Sequence, residues 1–363
     1  MLFYLTDSLI TLEAAEEYKD VAGVINNFIM TLQQGNHLVS GDIRCLEWAR
    51  TLYADKNPLY GAITHLINTF STNTIPSEIK EYVKVIKGER CQEDISGVSV
   101  HSIPYQEFQE FSSVDKMSIV GEDENDAKFY DYICKWYQHK IGTSYSTACI
   151  KENGGGKNTD RKILNLKSRN KPFTCIIDTD ERYPGGPKGN TYGACANLTY
   201  NQPLEFFYSI QAHEIENIIP KVIIDNLPSC TNIDKKTAKN GYDSILENLE
   251  DKTHWRYIDL KKGIVKNSDL CDNIELRNFC ESIYNLNEHK TKTFQEKYQA
   301  TSDKNPIMSG LSNYILREAL EYLDCNGIEH VNDFLDFQKE EWEKIGCWLL
   351  TKCICHGKET MNY

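Results

Sequence analysis

The chain has 363 residues, of which 40% are hydrophobic, so it can bury one large core or two to three smaller ones and should fold as a globular protein. Its net charge of −13 argues against a protein that coats DNA without specificity, because phosphate affinity comes from Lys and Arg. Thirteen cysteines without disulfide-type spacing and no run of membrane-spanning length predict a reducing cytoplasm and no membrane association.

Residues 1–110 are predicted to form an N-terminal mixed α/β domain that binds a partner or makes a homodimer. Amphipathic patterns indicate helices at residues 12–32, 42–53 and 58–70. Asp7 and Asp42 follow short apolar runs, and ordinary turns at strand ends explain them better than a catalytic site does. The polar and irregular segment 92–115 is predicted to be a linker.

The first of three acidic clusters follows a predicted strand at residues 117–120. Gly121 comes next, and apolar side chains then recur at helical spacing from residue 127 to residue 137. Glu122 therefore lies between strand and helix, and Asp126 is expected on the same face one turn later. Both carboxylates are predicted to converge on one cation.

The second cluster, Asp178 and Asp180, follows a run of β-forming residues at 173–177. Open parallel sheets bind ligands at the carboxyl ends of their strands, and a period of two would point both aspartates the same way. Mg²⁺ and Mn²⁺ prefer carboxylate oxygens, and clustered like charges are costly without a cation. A helix dipole or an ordinary turn explains any one cluster more simply, so their joint occurrence is what favours a metal site.

The third cluster is Glu214 and Glu216. On a helix, two residues two positions apart point about 200° away from each other, so only one of them could face the site. One of the two is therefore expected to be structural. His213 is interpreted as a core histidine with satisfied hydrogen bonds rather than as a base.

Two basic loops could hold nucleic acid. The loop at residues 151–162 has three consecutive glycines whose N–H groups could approach a phosphate, together with Lys157 and Arg161. The loop after the Asp pair carries Arg182 and Lys188. The first loop lacks the spacing of a P-loop, and plain flexible connectors remain an equal alternative for both loops.

Together, the three acidic clusters and the Gly-rich loop resemble a TOPRIM domain over residues 115–225. They are similar to the nucleases of the overcoming-lysogenization-defect type and to small TOPRIM effectors of bacterial anti-phage systems. Gly121 before Glu122 departs from the pattern of that family.

The resemblance implies a TOPRIM-like α/β core with a parallel sheet flanked by helices, which cleaves phosphodiester bonds in DNA or RNA. It also implies an ATPase or sensor protein as partner, since this chain has no ATPase motif. The implied catalytic residues are Glu122, Asp178 and Asp180. The implied ligands of Mg²⁺ or Mn²⁺ are Glu122, Asp126, Asp178, Asp180 and Glu216.

Residues 226–363 are predicted to form a mainly helical C-terminal domain, with helices at residues 274–299, 307–325 and 331–353. The basic, aromatic stretch 255–264 is interpreted as an edge strand in preference to a nucleic-acid clamp. Near the C-terminus, the spacing of Cys347, Cys353, Cys355 and His356 does not match that of structural zinc sites.

Two alternatives to a nuclease remain at the level of the sequence. One is a non-catalytic interaction subunit that keeps a degenerate TOPRIM scaffold, although the presence of all the acids favours an enzyme. The other is part of a primase or topoisomerase, which is disfavoured because no primase zinc domain or topoisomerase nucleophile domain is evident.

Overall fold

The computed structural model describes residues 1–11, 14–69, 75–200, 203–231 and 236–356. Two ends of the predicted helices, Leu12 and Phe70, lie outside these residues. The protein is of the α/β class and contains parallel sheet flanked by helices, which confirms the predicted class. No helix among the described residues is long and apolar enough to cross a membrane.

The first 104 residues form a five-stranded sheet with three helices. Its elements are β1 (Leu2–Leu5), α1 (Ala15–Gln33), β2 (Leu38–Gly41), α2 (Ile43–Thr51), α3 (Pro58–Asn68), β3 (Glu81–Ile86), β4 (Cys91–Ile95) and β5 (Val98–Pro104). The strand order is β2-β1-β3-β5-β4, and only the edge strand β4 is antiparallel to its neighbour.

The prediction of a linker at residues 92–115 is wrong. Most of this segment forms the β4–β5 hairpin and two short 3₁₀ turns, Tyr105–Phe108 and Phe111–Val114. All five residues of β4 are exposed to solvent, so the strand carries the polar side chains that are typical of a loop. Burial of β5 against the sheet is a tertiary effect that the local composition does not reveal.

The middle of the chain forms a second, four-stranded sheet. Its region comprises β6 (Met117–Gly121), α4 (Glu124–Ile141), β7 (Ser146–Thr147), β8 (Cys149–Asn153), α5 (Thr159–Ser168), β9 (Phe173–Ile177), α6 (Asn190–Ala196), β10 (Glu205–Ser209) and α7 (Lys221–Ile224). The order is β10-β9-β6-β8, and all neighbouring strands are parallel. The short strand β7 lies outside this sheet.

Side chains of the second sheet alternate between two cores because a strand has a period of two. Ile119 and Ile176 join the main core with the apolar face of α4. Val120 and Cys175 point the other way, into a smaller core formed with α5 and α6. From β6 the chain passes to β8 on one side of β6, and it then returns to β9 on the other side of β6. This reversal creates a crevice at the carboxyl ends of β6 and β9.

The remainder of the chain is mainly helical. It comprises α8 (Pro228–Thr231), α9 (Lys236–Asn248), β11 (Gly263–Val265), α10 (Ser268–Asp272), α11 (Ile274–Asn285), α12 (Phe294–Ala300), β12 (Pro306–Ser309), α13 (Ile315–Asn326), α14 (Asp336–Cys353) and β13 (Ile354–Cys355). β11 pairs with β12, and β13 pairs with β7, both antiparallel.

Two predicted helices of this region are shorter than expected. Residues 286–293 interrupt the first helix, and residues 307–309 of the second predicted helix belong to β12 instead. Helix α14 packs along α4, and Trp342 is fully buried between Phe129 and Trp136. One hydrophobic core consequently extends from β1 through the second sheet to α14.

Candidate functional site

Two predicted acids follow adjacent strands of the second sheet. β6 ends at Gly121 and β9 ends at Ile177, and the two strands are parallel neighbours with Val120 opposite Cys175. Glu122 and Asp178 therefore leave the same edge of the sheet, at the crevice where open α/β sheets bind ligands.

Gly121 allows the first turn of α4 to approach the end of β6. A Cβ atom at this position would lie 2.6 Å from Asp126 Cβ and 2.9 Å from the amide nitrogen of Ala127, closer than real side chains come. The glycine at position 121 therefore has a steric reason.

The predicted helical relation between Glu122 and Asp126 is wrong. Helix α4 begins at Glu124, and Asp123 caps it in an extended conformation. Asp126 Oδ2 accepts a hydrogen bond of 2.9 Å from the Asp123 amide, which completes a capping box. Asp126 thus has a structural role at the helix start. It still lies beside the other acids, since its pKa is raised by burial and then by the charges of Asp123, Glu216 and Glu122.

Asp178 and Asp180 do not share a strand, so the prediction that period two aligns them is wrong. β9 ends before both, and Asp180 has a left-handed backbone with φ of +57°, which aspartate tolerates better than most residues. A Cβ atom on residue 189 would lie only 1.9 Å from Asp180 Oδ2, so this position requires glycine. Asp178 Oδ2 accepts a hydrogen bond of 3.1 Å from the amide of Ile215.

Glu214 and Glu216 both face one lysine, which corrects the prediction that only one of them could face the site. Glu214 is extended and precedes the short 3₁₀ helix Ile215–Ile218, so the two side chains are not separated as on an α-helix. Lys261 Nζ lies 3.3 Å from Glu214 Oε2 and 3.2 Å from Glu216 Oε2. Neither oxygen makes a hydrogen bond of good geometry to a described residue, so charge attraction joins them to the lysine.

Buried hydrogen bonds fix the segment that carries these two glutamates. The Asn217 side chain donates to the carbonyl oxygens of Trp255 and Ile258, at 2.9 and 2.7 Å. From α14, the Gln338 side chain donates to the carbonyl oxygens of Asn217 and Ile219, at 2.9 and 3.0 Å. The C-terminal region therefore holds one wall of the site in position.

Burial and mutual repulsion disfavour ionisation of the clustered acids. Burial raises the pKa of Glu122 and of Glu216 to about 7 and that of Asp126 to about 8. Burial, followed by the neighbouring carboxylates, raises the pKa of Asp178 well above its usual range. Burial opposes the charge of Lys261, but the carboxylates of Glu216 and Glu214 outweigh it and raise its pKa.

The carboxylate oxygens of the cluster are the kind of ligand that a hard divalent cation prefers. Carboxylate oxygens predominate, and two of them, Glu214 Oε2 and Glu216 Oε2, are buried without a hydrogen-bond partner among the described residues. In the described part of the chain, however, no three His, Cys, Asp or Glu side chains are arranged as a metal-ligand group. The acids form a cluster whose permanent cation is Lys261.

The contribution of the clustered acids to the stability of the metal-free protein should fall as the pH rises from about 4 to about 8. Glu122, Asp126 and Glu216 have pKa values above those of unfolded carboxyl groups, so the folded state retains protons that the unfolded state loses in this range. We expect the free energy of unfolding to drop by on the order of 1–3 kcal/mol and then to level off. Urea titrations of the wild type and of Glu122→Gln along this pH series measure the change; a stability difference between the two that does not depend on pH would contradict the electrostatic picture.

The Gly-rich loop does not offer free amides to a phosphate, which corrects the prediction for this loop. The Gly154 amide donates to the carbonyl oxygen of Gly121 (3.1 Å), and the Gly156 amide donates to that of Glu122 (2.8 Å). The Gly155 amide donates to the Asn153 side chain at 2.7 Å. The loop instead anchors the backbone that carries Glu122.

Close packing explains the glycine at position 154. A Cβ atom there would lie 2.3 Å from the Gly121 carbonyl oxygen and 2.5 Å from Thr159 Oγ1. We expect Gly154→Ala to lower the free energy of unfolding by about 1–3 kcal/mol, because the strand end must move. Gly23→Ala is the matched control: it meets no atom within 4 Å on α1, so it should raise stability by roughly 0.5–1 kcal/mol. Equal unfolding midpoints for the two variants would contradict this account.

The four predicted nucleic-acid contacts lie in loops or helix starts that follow β8 and β9. Lys157 and Arg161 are exposed and form no ion pair with a described residue. Arg182 pairs with Asp269 at 3.3 Å, and the Lys188 ammonium lies 4.3 Å from the centre of the Tyr192 ring. These cations border the same edge of the sheet as Glu122 and Asp178.

Two weaker sequence predictions have clear structural outcomes. His213 is buried, and burial lowers its pKa to about 4, but its Nδ1 has no hydrogen-bond partner among the described residues. Of the C-terminal group, Cys353 and Cys355 are buried free thiols at the end of α14 and in β13. In the part of the chain that the structure covers, they belong to no metal-ligand group.

Comparison of the chain with protein-family models, with curated proteins and with solved structures finds no match. The resemblance to TOPRIM nucleases therefore stays a prediction from the sequence. The function is therefore inferred from the geometry of the carboxylate cluster.

Proposed function

We propose that the chain is a nuclease that depends on Mg²⁺ or Mn²⁺ and has its active centre at the carboxylate cluster. The observation that carries this proposal is the convergence of acids from three separate segments on one crevice of a parallel sheet. Glu122 follows β6, Asp178 follows β9, and Glu216 lies on the buried 3₁₀ turn. A folded protein has little reason to gather such charges unless a cation or a polyanionic substrate uses them.

Within this proposal, the residues that would hold the metal are Glu122, Asp126, Asp178 and Asp180. When bound, the cation would polarise the scissile phosphate and lower the pKa of a bound water. Glu122 is partly exposed and has a pKa of about 7, which suits a group that accepts the proton of the attacking water near neutral pH. We assign Glu216 to positioning Lys261 rather than to direct metal binding.

Lys261 adds a positive charge that needs no metal. Its ammonium is held by Glu214 and Glu216, and Asp178 also contributes to its raised pKa, so it faces the centre of the cluster. A fixed cation at this place can stabilise the charge that develops on a phosphate oxygen.

The finer architecture belongs to the same proposal. We propose a TOPRIM-type core at residues 115–225 between an N-terminal mixed domain and a C-terminal helical domain. An ATPase or sensor partner, or a homodimer, would restrain the activity in an anti-phage system. The acidic crevice at the carboxyl edge of a parallel sheet supports this assignment.

The competing proposal is a non-catalytic interaction subunit. It is favoured by one observation: Lys261 already pairs with two of the acids and offsets one negative charge, so the cluster can persist without a metal. The two proposals differ in whether Mn²⁺ turns on cleavage.

Labelled DNA and RNA pools, incubated with purified protein in Mn²⁺, Mg²⁺ or EDTA, test the proposal. The nuclease should cut at least one pool in the presence of metal and neither pool in EDTA, and the pool that is cut identifies the substrate. If neither pool is cut by protein whose metal binding has been verified, the interaction subunit is the better account.

Charge reversal should map the nucleic-acid path. We expect Lys157→Glu combined with Lys188→Glu to weaken substrate binding about tenfold or more at low salt, and less at high salt, because exposed charges act through screened electrostatics. The control is Lys19→Glu combined with Lys339→Glu, which makes the same charge change at two lysines outside these loops. Equal affinities of the two double variants in salt titrations would contradict this path.

A further inference from the structure

A cavity of about 380 Å³ lies towards the opposite end of the second sheet from the carboxylate cluster. Its lining includes Lys116, which precedes β6, residues of β7 and β8, and the end of β13. Strands of five residues are roughly 13 Å long, so the two sites are separated by about the length of the sheet. The cavity volume falls within the range of roughly 300–1,000 Å³ that is typical of small-molecule sites.

The charge of this cavity is opposite to that of the chain as a whole. Three lysines line it, Lys116, Lys135 and Lys151, together with one acid, Asp131. The local excess is therefore two positive charges, whereas the chain carries a net charge of −13. Such an excess in a concave site attracts anions.

Asp131 holds two of the lysines in position. It is 6% exposed, and its Oδ2 lies 2.9 Å from Lys151 Nζ and 3.1 Å from Lys135 Nζ. One carboxylate cannot neutralise two ammonium groups, so this trio retains one positive charge. Lys116 makes no ion pair with any residue that the structure describes, and its charge remains available to a ligand.

We propose that this cavity binds the phosphate groups of a small phosphorylated molecule of nucleotide size. Lysine ammonium groups bind phosphate as point charges, and the hydroxyls of Ser146 and Thr147 add hydrogen-bonding groups to the wall. Gln34 and Gly35, which follow α1, and residues at the end of β13 line further sides of the cavity, and this concave shape fits a compact ligand. The inference does not depend on the proposed cleavage activity.

Calorimetric titration of the full chain with inorganic pyrophosphate, in EDTA, tests this site. The wild-type protein should bind saturably, and Lys116→Gln combined with Lys135→Gln should weaken binding at least tenfold. Neither substitution should unfold the protein, because Lys116 has no ion pair among the described residues and the Lys135 side chain is 49% exposed. Circular dichroism verifies the fold, and Lys19→Gln combined with Lys339→Gln is the control of equal charge.

Each result decides the assignment. Loss of binding in the cavity variant alone supports the site. Absence of wild-type binding, unchanged binding in the cavity variant, or equal weakening by the control overturns it. A single-stranded oligonucleotide of 20 nucleotides provides a further comparison. If it competes for the same lysines and binds more tightly than pyrophosphate and ATP do, the cavity binds nucleic acid instead. Because no cleavage is measured, failure of this test leaves the proposed function unaffected.

Discussion

Asp178→Asn should abolish metal-dependent cleavage without unfolding the protein. The amide keeps an oxygen that can accept the hydrogen bond from the Ile215 amide, but it removes one negative charge from the centre of the cluster. We expect the cleavage rate to fall by about 10³-fold or more, because a hard divalent cation loses a ligand. Stability without metal should stay level or rise, since repulsion with neighbouring acids is relieved.

Single-turnover cleavage and urea unfolding, measured on the same preparations, separate the two effects. Glu122→Gln should behave in the same way. The matched control is Glu124→Gln, because Glu124 is exposed at the start of α4 and points to Lys128, 2.8 Å away. A cluster variant that cuts normally, or one that unfolds before its activity can be measured, would count against the assignment.

Lys261→Met should be the most destabilising substitution at the site. It leaves Glu214 and Glu216 buried without their cation, a situation that costs about 3–5 kcal/mol when a buried ion pair loses one partner. The loss should be largest at pH 8. It should shrink at pH 5, because the pKa of Glu216 is about 7 and its carboxyl is then neutral. Burial also raises the pKa of Glu214, which acts in the same direction.

A compensated variant provides the control for this prediction. Adding Glu214→Gln and Glu216→Gln to Lys261→Met removes the unpaired charges and should recover much of the stability at pH 8. Lys262→Met, one residue away and exposed, should have little effect. If Lys261→Met and Lys262→Met unfold at the same urea concentration at pH 8, the lysine does not hold the two glutamates as described.

The sequence predicted the elements that carry the site because the signals are local. The apolar run at 173–177 coincides with β9, and the run at 117–120 is one residue shorter than β6. Both runs are rich in β-forming residues, and an acid follows each run within two residues, so the local pattern predicts the positions of Glu122 and Asp178 at strand ends.

Other parts of the site depend on contacts that no local pattern encodes. Lys261 lies 45 residues beyond Glu216 in the chain and was expected in an exposed edge strand, so only tertiary folding brings it to the acids. The prediction for Glu214 assumed an α-helix, whereas a 3₁₀ turn follows this residue. The left-handed backbone of Asp180 likewise depends on its contact with the loop at Gly189.

Calorimetric titration of the metal-free protein with Mn²⁺ at pH 8 tests most directly the central claim that the carboxylate cluster is a metal centre. The account predicts saturable binding to the wild-type protein with release of protons from the carboxyls of raised pKa, and binding at least tenfold weaker in Asp178→Asn. Absence of saturable binding, or the same affinity in wild type and Asp178→Asn, would contradict the claim that this carboxylate cluster is a metal centre.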